Sequence, residues 1–478
     1  MKLDFKNPPM AHQVRAMRRA WPMREFGLFH EMGTGKTYTT INLAAARYLK
    51  KQIGFLIVIC PTPIKNVWEV ELKEHHPGEY SYWIYESGNS PYGWIDKEED
   101  NLKVIVVSVE SMSLKDGSSR RVIDYIQRRY KTMVVVDESS RIKTYKAKRT
   151  KHIIEVGGDA EYRMILTGTP VTQGLIDLYS QFRFLNVNII NCKNFSVFRN
   201  RYCVTGGFKG KQILGYQFEE NLYKRIAPYV DYVTKEECLD LPDKITPPSI
   251  VVLPTDNQKR VIKELTKEFA MKDQGKEIEV TTILERMTRY QQVIGGSFPF
   301  EEDGQYSTQP IGGANPKLDA MLEYIEELPN DKKVIIWARF VPEIRYIIAA
   351  LCAIYGPDSV VDFYGATEQD NRARNSIAFQ ENPAVRFIVS NQTVGGYGQT
   401  WTAATYVIYY SNSFSYEDRY QSEDRCHRKG QNHHVTYQDI EMAIPHDRMI
   451  LRAIRRKRDL AQDVEEALIE SRTLDLGG

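Results

Sequence analysis

None of the six cysteines, Cys60, Cys192, Cys203, Cys238, Cys352 and Cys426, stands in a CxxC pair. Buried reduced thiols in a cytosolic protein are therefore expected. Cys426-His427 and His433-His434 lie close together, but without a second cysteine nearby the ligand count of a zinc site is not met. No apolar run approaches the ~20 residues of a membrane span, and the N-terminus lacks the apolar stretch of a signal peptide. A soluble protein that avoids membranes is the expectation. Charge of one sign is also missing: 64 Lys and Arg against 62 Asp and Glu give a net +2. No strong global field advertises a polyanionic partner, although a local basic groove suffices to bind one. There is no low-complexity tail, no tandem repeat, and no nuclease, methylase or chromatin-reader motif.

The 478 residues, 42% hydrophobic and 26% charged, have the balance of a soluble globular protein with several domains. Short apolar runs recur between amphipathic stretches: Gly54–Cys60, Lys103–Val109, Met133–Asp137 and Arg163–Thr167, then Lys333–Ala338, Val360–Tyr364, Arg386–Ser390 and Tyr406–Tyr410. Each is long enough for a strand buried on both faces and too short for a buried helix. Their alternation with helical patterns predicts an α/β fold with parallel, doubly wound sheets, twice over. Residues 191–315 change character, with the Gly/Lys turn TGGFKGK, the Pro-rich LPDKITPPS and the charged helical stretch NQKRVIKELTKEF. They are expected to form inserted subdomains and a connection near Leu241–Ser249. The run RAIRRKRDLAQDVEEALIESR is expected as a charged helix with a solvated face.

The stretch FHEMGTGKTYTT (Phe29–Thr40) follows the apolar Phe26-Gly27-Leu28-Phe29. Glycine-permitted turns around Gly33, Thr34 and Gly35 can point successive N–H groups inward as an anion nest. Lys36 adds a charge for β- and γ-phosphates, and Thr37 a hydroxyl ligand for Mg²⁺. The full GxxxxGK[ST] pattern asks for glycine where His30 stands, and Gly-Lys-Thr alone also fits an ordinary strand-to-helix turn.

In MVVVDES, Asp137 and Glu138 end an apolar run. At a strand end beside a phosphate cradle, the first carboxylate can hold Mg²⁺ through water and the second can deprotonate the attacking water. LTGTPV places Thr167, Gly168 and Thr169 in a turn able to sense the γ-phosphate. In QSEDRCHRKGQ, Arg425 and Arg428 are three apart, so on a helix they share one face and can act as arginine fingers. Before them, Gly395, Gly396 and Gly398 either let backbone approach a nucleic-acid strand or serve a loop that needs positive φ.

This set resembles superfamily-two helicases, and within them the Swi/Snf-related DNA translocases. The motifs EMGTGKT, CPTPIKNVWEVELKEHHP, SVESM, VVVDESSRIKT, LTGTPVTQGLIDLYSQFRFL, VGGYGQTWTAA and DRCHRKGQ follow in the family's order over nearly the whole chain. Two departures stand out: Ser139-Ser140 replace the usual Ala-His, and SNSFSYED replaces the usual Trp-Asn-Pro. FRNRYC, NLYKRIAPYV and LPDK further resemble fork-remodelling, strand-annealing members, which act on branched DNA.

The resemblance implies two RecA-like lobes of the P-loop NTPase kind with helical and hairpin insertions, and ATP between them. It divides the chain into a first lobe at 1–190, insertions and connection at 191–315, a second lobe at 316–450 and a charged helix at 451–478. Gln13 takes the place of the adenine-reading glutamine, and Gln421 that of a coupling residue beside Thr167, Gly168 and Thr169. Duplex or branched DNA is the implied partner. Ser108, Arg141, Lys143, Thr144, Lys146, Thr393, Gly395 and Gly396 are the candidate contacts, because a motor must neutralise phosphates without reading bases. Lys148, Arg149 and Lys151 add to the same basic run, and Arg455–Arg458 form another. The implied protein is a monomeric, ATP- and Mg²⁺-dependent enzyme in the cytoplasm of a prokaryotic or virus-infected cell. The rivals are an RNA-remodelling ATPase and a non-motor DNA-binding scaffold with an inactive nucleotide site.

Overall fold

The computed structural model describes residues 4–207, 212–272, 280–302, 305–396 and 398–476. The chain forms two compact units, Met1–Asp240 with Lys457–Gly478, and Leu241–Arg456.

The first unit is built on β1 (Glu25–His30), β2 (Phe55–Cys60), β3 (Tyr80–Ile84), β4 (Leu102–Ser108), β5 (Thr132–Asp137), β6 (Tyr162–Leu166) and, after a hairpin of β7 (Cys203–Gly206) and β8 (Gln212–Tyr216), β9 (Val230–Val233). The large sheet runs β3-β4-β2-β5-β6-β1-β9, and every pairing in it is parallel. A strand buried on both faces must divide its side chains between two cores. β2 does so: Phe55, Ile57 and Ile59 enter one hydrophobic cluster, and Leu56, Val58 and Cys60 the other. Helices on both faces seal these clusters, as the doubly wound expectation requires.

The second unit holds β10 (Lys244–Ile245), β11 (Ile250–Val252), the antiparallel hairpin of β12 (Ser297–Glu302) and β13 (Gln305–Pro310), then β14 (Lys333–Trp337), β15 (Val360–Phe363), β16 (Phe387–Ser390), β17 (Ala404–Tyr409) and β18 (Val435–Met442). Its sheet runs β10-β18-β17-β14-β16-β15, with β11 also paired to β18, again in parallel throughout. Val334 and Ile336 of β14 enter one core, and Ile335 and Trp337 the other.

All eight expected apolar runs are strands, within a residue or two at their ends. The stretch 191–315 divides at Leu241: the hairpin β7–β8 and the helix Glu219–Ile226 stay with the first unit, and the helices Asp256–Lys272 and Val280–Ile294 with the second. The tip of the TGGFKGK turn, residues 208–211, lies outside the described residues.

The charged C-terminal run departs from its expectation of a merely solvated face. It belongs to a longer helix, Pro445–Leu476, and Ala461, Val464 and Leu468 are buried on one stripe of it. Val464 and Leu468 join the core of the first unit. Spacings of three and four residues put these positions on one helix face.

Candidate active site

In a parallel sheet the C-terminal strand ends open onto the loops that bind ligands. The ends of β1, β6 and β5, neighbours in the sheet, carry the Gly-Lys-Thr loop, Thr167–Thr169 and Asp137-Glu138. Chain positions far apart in sequence thus meet on one edge of the first unit.

The loop Glu31–Gly35 links β1 to the helix Lys36–Leu49. Gly33 and Gly35 have φ of +79° and +86°, a conformation that L side chains avoid. A Cβ at Gly35 would collide with the Gln13 amide. Gln13 lies over the loop: its Oε1 accepts from Met10 N at 2.9 Å and its Nε2 donates to Thr34 O at 3.3 Å. His12 Nε2 also meets Thr34 O, at 2.7 Å. Lys36 Nζ folds back onto His30 O at 2.9 Å and Glu31 O at 3.3 Å. Thr37, half-buried in the first helical turn, makes no side-chain hydrogen bond among the described residues.

His30 explains why the loop tolerates a missing glycine. Its backbone is ordinary strand, paired with Val233 of β9, so the position does not demand φ above zero. The ring is fully buried and bonds Asp231 Oδ2 at 2.9 Å, while Arg15 and Arg19 hold the same carboxylate at 3.2 and 3.0 Å. Burial lowers the His30 pKa despite the pull of Asp231, so the ring is neutral and donates. Burial alone would raise the Asp231 pKa, but the His30 hydrogen bond and the Arg15 charge bring it far below the usual carboxylate range.

Asp137 is 6% exposed at the end of β5. Its Oδ2 accepts from Trp68 Nε1 at 2.9 Å and its Oδ1 from Glu138 N at 3.0 Å. Burial raises its pKa, against the Lys36 charge and these two donors. Glu138 has φ of +50°, rare for a non-glycine residue and costly enough to suggest a functional constraint. The next strand end is locked differently. Thr167 N reaches Leu28 O on β1 at 3.1 Å, and Thr167 Oγ1 accepts from Thr169 N at 3.0 Å. A Cβ at Gly168 would press on His30 O and Met32 N at 3.4 and 3.3 Å, so glycine lets this turn lie against the phosphate loop. Thr169 Oγ1 is buried with no partner among the described residues.

Ser139, where the resemblance leads one to expect alanine, is fully buried and donates to Gln181 Oε1 at 2.7 Å. Gln181 Nε2 in turn donates to Pro170 O at 2.8 Å. The acidic pair and the Thr-Gly-Thr turn are therefore tied through a side chain on the helix Asp177–Leu185. Sequence reading missed Gln181, Trp68 and Asp231, since nothing local says which distant groups they meet.

In the second unit the arginine motif follows the helix Tyr416–Glu423. The helix ends at Glu423, so Arg425 and Arg428 do not share a helix face as expected; both lie in the turns beyond it. They converge on one acceptor nonetheless: Arg425 Nη1 and Arg428 Nη1 donate to Gln399 O at 2.9 and 3.1 Å. Arg425 is 5% exposed and also donates to Gln421 O and Asp424, whereas Arg428 is half-exposed. The rest of the motif is scaffolding. His427 Nε2 meets Pro242 O at 2.7 Å, Gly430 has φ of +98°, and Gln431 Nε2 donates to Thr402 O, Ala404 O and Cys426 O. Arg419 anchors the preceding helix through both oxygens of Asp439, at 2.6 and 3.1 Å, and lies over the Tyr409 ring. Gln421 is fully buried, with neither side-chain polar atom partnered among the described residues.

The expected nucleic-acid contacts are scattered in character. Thr144, Lys146 and Thr393 are exposed, and Arg141 and Lys143 half-buried. Lys143 Nζ donates to Thr172 Oγ1 at 2.7 Å. Ser108 Oγ accepts from Ser111 N at 3.1 Å, a local turn. Gly395 and Gly396 are both buried; a Cβ would strike Ser390, Trp337 and Trp401 at the first, and the Gln392 carbonyl at the second. Packing therefore accounts for both, and of the three glycines only Gly398 has positive φ.

The donors present suit a nucleotide with a divalent cation: an amide nest, a lysine, two hydroxyls with no partner among the described residues (Thr37 and Thr169) and a buried carboxylate beside a second one.

An SNF2-related domain matches residues 13–295, and a helicase conserved C-terminal domain residues 316–430. The SWI/SNF-related matrix-associated actin-dependent regulator of chromatin subfamily A-like protein 1 homolog of Caenorhabditis elegans is 26% identical over 459 residues, 94% of this chain and 60% of that protein. The DNA annealing helicase and endonuclease ZRANB3 of Bos taurus is 24% identical over 418 residues, 84% of this chain and 35% of that protein. The chain thus spans 35% to 60% of the length of these curated relatives. The Sulfolobus solfataricus SWI2/SNF2 ATPase core in complex with dsDNA aligns over 99% of this chain and 97% of its own, with 23% identity and a TM-score of 0.44. Among the described residues no helix is long and apolar enough to cross a membrane. With one family domain over more than half its length and the second C-terminal to it, the chain belongs to the SNF2-related family.

Proposed function

We propose that this chain hydrolyses ATP to translocate on double-stranded DNA and remodel branched DNA, with the two units acting as the two lobes of the motor. The observation that carries the reading is the single edge on which the phosphate loop, the acidic pair and the Thr-Gly-Thr turn meet, with Glu138 held at φ +50°. Gln13, seated over Gly35, reads adenine. The amides around Gly33, Thr34 and Gly35 cradle the phosphates, and Lys36 leaves its loop carbonyls to meet their charge. Thr37 and Asp137 would hold Mg²⁺, which when bound would neutralise charge on the phosphates. Glu138 takes the proton of the attacking water, and Arg425 and Arg428 are assigned to the transferring phosphate.

Thr167, Gly168, Thr169 and Gln421 relay the nucleotide state, and the Ser139–Gln181–Pro170 chain supports a relay without the family's usual histidine. Ser108, Arg141, Lys143, Thr144, Lys146, Thr393, Gly395 and Gly396 are the proposed track on DNA; exposure favours Thr144, Lys146 and Thr393 for phosphate contact. The unpaired cysteines fit a cytoplasmic protein, and a monomer is the state proposed.

Remodelling rather than processive unwinding is favoured by what separates the glycine motif from the arginine motif. The Trp401 turn, β17 and the Ser415 cap fill that stretch, so no separating pin fits there. Each base-pair step opened costs ~1.4 kcal/mol, which branch migration recovers by forming a pair behind. The test compares ATP turnover with duplex, forked, four-way and single-stranded DNA and with RNA, and then movement of a mobile four-way junction against separation of a long forked duplex. Stimulation by RNA alone, or processive separation with no junction movement, would sink the proposal.

A further inference from the structure

The second unit holds a groove of about 780 Å³ that none of these motifs uses. Its walls are the helix Val280–Ile294, the β12–β13 hairpin and the first turn of the helix Val341–Tyr355. The volume lies within the ~300–1,000 Å³ usual for ligand sites. Arg289 stands on one wall, with its Nη1 donating to Gln292 Oε1 at 2.9 Å. Arg345 stands on the other, exposed, and forms no hydrogen bond or ion pair among the described residues.

Ser297 also lines the groove; it is 2% exposed, and its Oγ has no partner among the described residues. A buried hydroxyl without a partner calls for a bound group to satisfy it. Among the described lining side chains there is no carboxylate. The nearest acid in the first helical turn, Glu343, is fully buried and turned to the backbone, where its Oε2 accepts from Arg339 N and Phe340 N at 3.1 Å each. The start of this helix adds its positive dipole end. Phe340 and Pro342 line the remaining surface with apolar area.

Two guanidiniums and a hydroxyl donor beside an apolar wall match a phosphate joined to a sugar and base. We infer that this groove holds the phosphodiester backbone of a nucleic-acid strand, with Arg289 and Arg345 clamping a phosphate and Ser297 donating to it. The inference rests on the reading of DNA as partner and adds a site outside the helicase motifs. The same chemistry would also accept a free phosphate, so the experiment has two arms.

In the first arm, anisotropy of a labelled forked DNA is followed across a salt series for the wild type, Arg345→Ala, Arg289→Ala with Arg345→Ala, and Ser297→Ala. Removing one phosphate-binding cation should lower the slope of log affinity on log salt by ~0.7–0.9, so the double variant should drop by ~1.5 and bind about tenfold more weakly. Arg345 is exposed, so its single variant carries the test if the double variant misfolds. In the second arm, inorganic phosphate is titrated calorimetrically into wild type and double variant. Wild type that binds the fork, with variants equal to it in affinity and slope, overturns the inference and leaves the proposed function standing. Phosphate binding that depends on the arginines, with fork binding unchanged, replaces the strand by a free anion. Wild type that binds no DNA overturns both readings.

Discussion

Restoring the glycine that a full phosphate-loop pattern carries, by His30→Gly, should weaken this protein. The His30 ring is fully buried, and its Nε2 donates to Asp231 Oδ2 at 2.9 Å. Losing a hydrogen bond to a charged acceptor costs about 1.5–3 kcal/mol. Emptying the space of a buried ring adds about 2–4 kcal/mol, and glycine in a strand a further ~0.5–1. Arg15 and Arg19 still hold Asp231, so its charge stays compensated and the overlapping terms come to about 3–6 kcal/mol. At about 2–4 °C per kcal/mol, the melting temperature should fall by about 6–24 °C in calorimetry or circular dichroism. A variant melting within about 2 °C of wild type refutes the reasoning. The pH dependence gives a second check. Burial holds the folded-state pKa of His30 below its unfolded value of ~6.5, so its stabilising effect is complete above that pH and is lost as pH falls through the folded pKa. The stability gap between wild type and variant should therefore narrow as pH falls below about 6.5. A widening gap would mean that the folded ring is protonated.

Three further outcomes are expected. Glu138→Gln should bind ATP but hydrolyse it ~10²–10⁴ times more slowly in single turnover, and unchanged turnover refutes the base assignment. Arg428→Ala should lower hydrolysis ~10³–10⁵-fold at a near-native melting temperature. Arg425→Ala should lose hydrolysis and several degrees as well, because Arg425 is buried and bonded to Gln421 O, Gln399 O and Asp424; equal melting temperatures would show that it is no pin. Ser139→Ala, although it installs the family's usual residue, should cost about 1–3 kcal/mol in urea unfolding by leaving buried Gln181 Oε1 without its donor. An unchanged urea midpoint would sink that account.

Local chemistry determined much of this protein. Runs such as FLIVIC and MVVVD could only be buried strands, because their apolar side chains leave neither face for water. Positive φ at Gly33 and Gly35 was legible for the same kind of reason, since only glycine adopts it without cost. The strands β3, β9 and β18 were not legible. YSYWI, VDYV and VTYQDIEM carry polar residues whose partners lie elsewhere in the chain, and sheet pairing rather than propensity makes them strands.

What tertiary structure alone decided is which distant groups meet. Asp231 satisfies His30 across 201 residues, and Trp68 satisfies Asp137 across 69. Gly395 is small because Trp337 and Trp401 close over it, which no loop rule foretells. Arg425 and Arg428 share an acceptor through turns rather than a helix. Where residue type alone dictates the backbone, as glycine does at positive φ, or where an unbroken apolar run demands burial, motifs reveal it. A buried polar atom needs a partner but does not specify where in the chain that partner lies, so only the folded molecule names it.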